Sequence, residues 1–279
     1  MKNNAIARIV IFSLVILLLL CILLAGLGVG AFVINIGHSG SGDYITGSSS
    51  AAASQVSKLD IDWASGSITI RTEDTDTITF TEEGYGTEEY RMVYAVNNGT
   101  LSIKYSKPSP VQIGFFSTPS KDLTITVPTD WVCAKLSIDS ASTDTQIEDL
   151  TLQKVELNSA SNSFRFINCQ IGTLDVDGAS NSIELTGTLE RLDCDGMSTN
   201  ITAVLSNTPK QIELDGMSSD LELTLPGDCG FRVTMDGLSN DFSSDFSASH
   251  VGGCYVYGDE ACRIDVDGMS SRVTIRKGE

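Results

Sequence analysis

Histidine is almost absent from this chain, and that absence excludes the commonest catalytic chemistries. Only His38 and His250 occur among the 279 residues. Neither stands in a pattern that could provide a general base or a set of zinc ligands. The sequence also lacks a nucleophile elbow, a P-loop and a glycine-rich dinucleotide fingerprint. We therefore expect a protein that is not an enzyme, with no cofactor and no metal, the alternative being a polysaccharide-cleaving enzyme with paired carboxylates.

Basic residues are scarce, and this excludes polyanionic partners. The chain has 18 lysines and arginines against 36 aspartates and glutamates, a net charge of −18. Such a field repels nucleic acid and anionic lipid surfaces. The acids alternate with apolar residues instead of forming blocks, so they indicate a solvated sheet face and not disorder.

Charge is missing altogether from residues 9–34, which include one serine. An apolar run of this length exceeds the roughly 20 residues that a helix needs to cross a bilayer. Lys2 and Arg8 precede it, so the positive-inside rule predicts a cytoplasmic tail at 1–8, a transmembrane anchor at 9–35 and an extracytoplasmic remainder in the cell membrane. A cleaved signal peptide ending near Ala31 is the alternative. The Gly- and Ser-rich residues 36–57 are typical of a flexible tether.

Seven copies of one motif fill the second half of the chain. The motif reads apolar-x-apolar-Asp-Gly-apolar-Ser-x-x-apolar-x-apolar, as in IELDGMSSDLEL from Ile212 and IDVDGMSSRVTI from Ile264. A repeat near 20 residues indicates stacked units, each too small to bury an apolar face alone. The motif serines are Ser142, Ser161, Ser180, Ser198, Ser218, Ser239 and Ser270.

Each repeat alternates apolar and polar residues with a period of two, which predicts half-buried strands joined by turns. We expect an all-β protein, a single β-solenoid with one coil per repeat over residues 132–279. Identical columns stack naturally in a parallel coil, whereas an antiparallel meander is the alternative because Asp-Gly also marks hairpins. Residues 58–131 contain a diverged copy, LDIDWASGSITI from Leu59, and are predicted to form irregular opening coils. A separate small β-domain is the other interpretation of that region.

The predicted register can be tested with one neighbouring pair of residues. Leu174, Leu192, Ile212 and Ile264 should face the core, while Asp175, Asp193 and Glu213 should face solvent. Ile212→Ala should lower the free energy of unfolding by about 2–5 kcal/mol because it leaves a cavity. Glu213→Ala should change it by less than about 0.5 kcal/mol. Equal losses in chemical denaturation would show that the register is wrong.

One aspartate of each motif would line up along an edge of the solenoid. We interpret this column as side chains that cap their own turns, so that removal of Asp215 would cost about 1 kcal/mol. The alternative is a calcium ladder of stacked carboxylates. The column comprises Asp139, Asn158, Asp177, Asp195, Asp215, Asp236 and Asp267.

Two irregular segments interrupt the repeats. The first, SKPSPVQIGFFSTPSKD from Ser106, has three prolines, so it is a predicted loop. We expect Phe115 and Phe116 to fold back onto the core, the alternative being exposed aromatics that contact a partner or a membrane. The second lies between the last two motifs and contains Cys254 and Cys262. We predict a disulfide between these two, with Cys229 as the alternative partner, since an exported protein can hold one.

The arrangement resembles a bacterial family of adhesin-like proteins of unknown function. The matching segments are ASGSITI from Ala64, GTLSIKY from Gly99, DLTITVP from Asp122, the seven motif copies, and VYGDEACRIDVDGMSSRVTI from Val256. The resemblance covers residues 56–277. It implies a repeated β-solenoid behind an N-terminal anchor, as in accessory proteins of envelope-stress operons in Gram-positive bacteria. It implies no catalytic residue.

Together these features predict a membrane-anchored, extracytoplasmic scaffold or adhesin-like interaction protein. Its partner would be a cell-surface protein or a glycan and not nucleic acid. The alternative is an accessory or sensor subunit of an envelope-stress response, which would signal through another membrane protein because the predicted cytoplasmic tail is so short.

Overall fold

The structure, a computed structural model, describes residues 44–106 and 119–278 of the chain. Within them the protein is all-β, with two 3-10 helices, Ala53–Gln55 and Glu88–Tyr90. None of its helices has the length and apolar character needed to cross a membrane. The predicted anchor at residues 9–35 and the predicted partner loop with Phe115 and Phe116 lie outside the described residues.

The strands follow one another with little intervening loop. The first half contains β1 (Ile45–Thr46), β2 (Ser49–Ala52), β3 (Lys58–Glu73), β4 (Thr77–Glu83), β5 (Val93–Asn97), β6 (Thr100–Lys104), β7 (Lys121–Pro128) and β8 (Val132–Cys133). The regular repeats form β9 (Lys135–Glu148), β10 (Thr151–Ala160), β11 (Ser163–Ala179), β12 (Ser182–Met197), β13 (Asn200–Leu205), β14 (Gln211–Met217) and β15 (Asp220–Leu225). The chain ends with β16 (Phe231–Leu238), β17 (Asp241–Ser244), β18 (Ser249–Val251), β19 (Cys254–Tyr257), β20 (Cys262–Met269) and β21 (Arg272–Lys277).

Parallel pairing between successive repeats builds the solenoid and confirms the all-β solenoid prediction over the meander. Each coil has two strand segments. The segment before the motif serine belongs to the first side of the solenoid, and the segment after the serine belongs to the second side. On the first side Leu174 pairs with Leu192, which pairs with Ile212, which pairs with Ile264. These four side chains are all buried. Of their neighbours, Asp193 is exposed, whereas the stacked coils leave Asp175 and Glu213 half-buried.

The coils are not stacked in the order of the sequence. The last coil, residues 262–277, lies between the coils 211–225 and 231–244, because β20 pairs with both β14 and β16 and β21 with both β15 and β17. At the other end, β3 lies between the coil of β6 and β7 and the coil of β9. The last coil and the coil of β3 are therefore both internal to the stack.

Antiparallel strands close both ends of the stack. At one end β5 and β4 pair with β6 and β7, and β1 and β2 pair with β5 and β4 in turn. At the other end β19 pairs with β16, and β18 pairs with β19. The predicted tether at 36–57 is therefore wrong for its last part, since β1 and β2 gain backbone hydrogen bonds from the outer strands.

The glycine of the motif is required by the closeness of the coils. Gly216 has φ of +147°, and a Cβ built on it would lie 1.8 Å from the carbonyl oxygen of Gly196 in the next coil. Six of the motif serines, not the glycines, form the left-handed turn residue, with φ between 56° and 62°.

Gly216→Ala is expected to reduce stability by about 2–3 kcal/mol, because it adds backbone strain and forces two coils apart. Gly86→Ala is the matched control: Gly86 also has positive φ (+71°), but nothing lies within 4 Å of its Cβ position. Its cost should stay near the roughly 1–2 kcal/mol of a left-handed residue. Chemical denaturation of both variants separates the clash from the strain, and equal losses would contradict the close-approach explanation.

Candidate interaction surface

The corner between the two sides is held by a ladder of backbone bonds from the motif serines. The amide N–H of Ser180 donates to the carbonyl oxygen of Met197 at 2.8 Å, and that of Ser198 donates to Met217 at 2.8 Å. The same bond recurs in the coils on either side. The positive φ of the serine aims its N–H along the solenoid axis, so the turn is tied to the next coil and not to its own strand.

In two successive coils an asparagine directly after the motif serine, and not the aspartate, caps the corner from inside. Asn162 accepts a bond from the Thr143 amide at 2.6 Å and donates to the Ser140 carbonyl at 3.1 Å. Asn181 accepts from the Asn162 amide at 3.3 Å. These side chains are buried, and they satisfy backbone groups that turn away from the sheet ladders.

The predicted capping role of the aspartate column is therefore wrong. Alternation along the strand turns Asp195 and Asp215 outward, and both are exposed. Asp139 accepts a hydrogen bond from Asn158 at 2.7 Å. No hydrogen bond or ion pair from a described residue reaches the side-chain carboxylates of the other five, Asp177, Asp195, Asp215, Asp236 and Asp267. In the described part of the chain no three side chains are grouped to hold a metal ion.

These carboxylates stand in register on the outer face of the first side. Asp177 pairs with Asp195, Asp195 with Asp215, Asp215 with Asp267, and Asp267 with Asp236. Partial burial, with repulsion from Asp195 and Asp267, raises the pKa of Asp215. Partial burial, with repulsion from Asp195, likewise raises the pKa of Asp177. Like charges opposite one another destabilise a sheet, so the fold keeps this column at a cost in stability.

A second acidic column lies two residues earlier and is only partly neutralised. Lys154 reaches both Glu156 and Asp175 at 2.9 Å. Asp193, further along, has no basic partner, and its pKa is raised by partial burial and by the charges of Asp195 and Glu213. The outer face of the first side is thus an extended array of carboxylates.

Asp215→Asn should raise the free energy of unfolding at pH 7 by about 0.5 kcal/mol, a figure that allows for solvent screening. The raised pKa means that the folded state holds this proton more tightly than the unfolded state, whose aspartate titrates near pH 3.9. The repulsive cost is therefore absent below that value and develops as pH rises through the folded pKa. Thermal unfolding at pH 7 and pH 4 should show the gain at pH 7 alone.

Asp265→Asn is the matched control for that prediction. Asp265 lies in the second column but is 2.6 Å from the Arg263 guanidinium, so its loss should not stabilise the protein. Alanine, unlike asparagine, cannot cap a turn, so a fall in stability of Asp215→Ala by about 1 kcal/mol at pH 7 would instead restore the capping hypothesis.

At the N-terminal end the acidic column contains a buried carboxylate. Asp62, beside Asp139 in register, is buried, and its burial raises its pKa to about 6 even though Lys104 opposes the shift from 3.3 Å. Lys104 in turn lies over the Tyr44 ring, 5.4 Å from its centroid. The acidic face is thus closed at this end by a cation held between a carboxylate and an aromatic ring.

A buried ion pair lies under the opening coils, and the repeat motif did not predict it. Lys121 and Glu82 are both 0% exposed in their side chains and meet at 3.0 Å. The Lys121 ammonium also donates to the carbonyls of Tyr90 and Tyr105 and lies 4.5 Å from the Trp63 ring centroid. Burial lowers the pKa of Lys121, and Glu82 opposes that shift.

The cysteines do not form the predicted bridge. All six cysteines of the described residues are free and buried. Cys254 faces Thr234 across one edge of β16, whereas Cys262 faces Phe231 across the other edge. A strand therefore separates them, beyond the roughly 7 Å between Cα atoms that a disulfide allows. Cys254 instead lies 3.3 Å from the Arg232 guanidinium.

His250, the one histidine that the structure describes, packs on Tyr255 with 4.8 Å between ring centroids.

A shallow depression of about 260 Å³ lies on the second side of the solenoid. Its lining comprises Asn200, Ile201, Thr202, Asp220, Leu221, Glu222, Arg272 and Thr274.

Comparison with known proteins places the chain in one family. A family model described as Toastrack DUF4097 matches residues 56–224 and 134–253. None of the curated proteins compared with the chain matches it.

Solved structures show similarity at low identity. A "putative cell adhesion protein" from Clostridium sporogenes is 12% identical, with a TM-score of 0.29 over 84% of this chain and 100% of that one. A "putative adhesin" from Bacteroides fragilis is 16% identical, with a TM-score of 0.41 over 85% and 98%. A "putative lipid binding protein" from Parabacteroides distasonis is 15% identical, with a TM-score of 0.37 over 86% and 98%.

Proposed function

Because the chain belongs to the Toastrack DUF4097 family, we propose that it is a non-enzymatic, adhesin-like interaction or scaffold protein of the cell surface. The observation that carries the proposal is the outer face of the first side. It presents unpaired carboxylates at every coil from Asp177 to Asp236, on a sheet with parallel pairing throughout. A protein that keeps like charges in register against its own stability has a use for them at its surface.

The rigid face suits binding better than catalysis. Its carboxylates repeat from coil to coil, whereas a catalytic pair needs two carboxyl groups in different environments, one protonated and one ionised. Binding of a large partner needs an extended complementary surface and not a cleft. The solenoid offers such a surface along its whole length.

The proposed setting is the outside of the cell membrane, with residues 9–35 as the anchor. The topology can be tested with a thiol reagent that does not cross membranes. Ser50 is exposed, while every described cysteine is buried, so Ser50→Cys adds an accessible thiol to the described part of the chain. Labelling of this variant in intact, wall-stripped cells, with none in the unsubstituted chain, is expected. Labelling that requires lysis would contradict the orientation.

The interaction itself can be tested by capture from the native membrane in mild detergent. The full chain should retain a specific envelope component or glycan that a variant with Asp193, Asp195 and Asp215 changed to asparagine does not retain. Glu184→Gln with Glu222→Gln, on the second side, is the matched control and should leave capture unchanged. Equal capture by all forms would contradict a function of the first side.

An accessory role in an envelope-stress response is the second candidate. In that role the chain would act through another membrane protein, which would carry the signal. Capture of an integral membrane signalling protein through residues 9–35, independent of the acidic face, would favour this role over an adhesin-like one.

A further inference from the structure

An apolar ridge runs along the corner of the solenoid, one residue beyond the motif glycine. In register along the stack stand Ala179, Met197, Met217, Met269 and Leu238. The three methionines are half-buried, and Leu238, on the outermost coil, is 67% exposed. The turn at the corner does not require methionine, because its hydrogen bonds use only the backbone of these residues. Methionine is common on surfaces that bind amphipathic partners, because its side chain is unbranched and polarisable.

The two flanks of this ridge differ in charge and in size. Two residues before each ridge position is an unpaired carboxylate, such as Asp195 before Met197 and Asp215 before Met217. Alternation turns both residues of each pair to the same face, about 6.6 Å apart. One residue after each ridge position is an exposed motif serine, whose short side chain leaves the ridge open from that side. The surface is therefore an apolar line with anionic charge along one edge.

The spacing of the ridge matches an α-helix laid along the solenoid axis. Successive coils are about 4.8 Å apart, and one helical turn rises about 5.4 Å. Over the three steps from Met197 to Leu238 the two repeats differ by roughly 2 Å, which flexible methionine side chains can absorb. A helix with one apolar residue per turn would thus place each on one coil, and lysines or arginines beside that stripe would face the aspartates.

We propose that the ridge from Met197 to Leu238 is a docking site for a basic amphipathic helix of a protein partner. The proposal rests on the interaction function proposed above and names the partner class for the same face. The charge of the neighbouring columns selects this occupant. A second copy of this chain would bring its own carboxylates against them, and like-charge contacts are unfavourable at an interface.

The test is a titration of the full chain with a labelled synthetic 15-residue peptide, followed by fluorescence anisotropy. The peptide carries leucine at positions 1, 5, 8 and 12, lysine directly after each leucine, and alanine elsewhere. A Met197→Ser, Met217→Ser, Met269→Ser variant should bind it at least about tenfold more weakly. Asp195→Asn with Asp215→Asn should weaken binding about fivefold and reduce its salt dependence. Val204→Ser, at an exposed apolar position on the second side, should bind like the unsubstituted chain.

Peptide controls test the shape and the charge of the occupant. A peptide with glutamate for lysine, or with proline in place of the alanines at positions 7 and 10 to prevent a helix, should bind at least about tenfold more weakly. Leu238→Ser, at the most exposed position of the ridge, provides a second variant that should fold normally and still bind more weakly. Failure of the basic peptide to bind, or equal binding to the methionine variant, would overturn the proposal. Capture of an envelope partner that still depends on the aspartates would, in that case, leave the proposed function standing.

Discussion

Deletion of residues 258–279 should unfold the segment 231–257 as well, although that segment precedes the deletion. The coil 262–277 lies between the coils 211–225 and 231–244, and Ile264, Val273 and Ile275 within it are fully buried. Each such aliphatic side chain stabilises by about 1.5–3 kcal/mol. Without this coil, β16 and β17 lose the strands they pair with on the inner side, and a single coil cannot bury its apolar face alone.

Hydrogen exchange on the full chain and on the deletion variant is the measurement. Amides of residues 231–257 should lose their protection, while those of residues 132–205, separated from the deleted coil by the coil 211–225, should keep it because each coil contacts only its neighbours. Retained protection of β16 after the deletion would contradict its dependence on the last coil.

Glu82→Ala should cost about 3–5 kcal/mol, because it leaves the Lys121 ammonium buried without its carboxylate. Glu82 also accepts bonds from the Arg91 guanidinium at 3.3 Å and the Met92 amide at 2.8 Å, so the variant loses the centre of a network. Lys121 already has a lowered pKa through burial, and removal of Glu82 should lower it further. The pKa of this lysine is lower in the folded state than its unfolded-state value of about 10.4. The free energy of unfolding therefore rises with pH between these two pKa values. The deficit of the variant should therefore shrink in alkaline solution.

Chemical denaturation between pH 7 and pH 10 checks this expectation. Glu73→Ala, which breaks an exposed ion pair with Arg71, is the matched control and should cost less than about 1 kcal/mol. Glu82→Gln combined with Lys121→Met should recover part of the loss, since it removes both buried charges together. A loss from Glu82→Ala no larger than the control would mean that the pair is solvated in solution.

The sequence indicated the core of the repeats but not the role of its polar columns. Leu174, Leu192, Ile212 and Ile264 were predictable because strand alternation assigns each residue to a face before any contact is known. The capping aspartate was a wrong interpretation. Which side chain caps a turn depends on where the next coil places its backbone groups, and after Ser161 and Ser180 the caps are Asn162 and Asn181. The burial of Lys121 was predictable from strand alternation, because Lys121 lies on the same face of its strand as Leu123 and Ile125.

The sequence by itself determined the all-β class, the repeat length and which face of each strand is apolar, because these depend on local alternation and spacing. Only the tertiary structure decided the order of the coils, the absence of a Cys254–Cys262 bridge and the alignment of Asp195, Asp215 and the methionine ridge into continuous columns. Every repeat presents nearly the same edges, so local sequence cannot specify which copies become neighbours. That choice depends on packing at the two ends, where antiparallel strands and the Lys121–Glu82 pair close the stack.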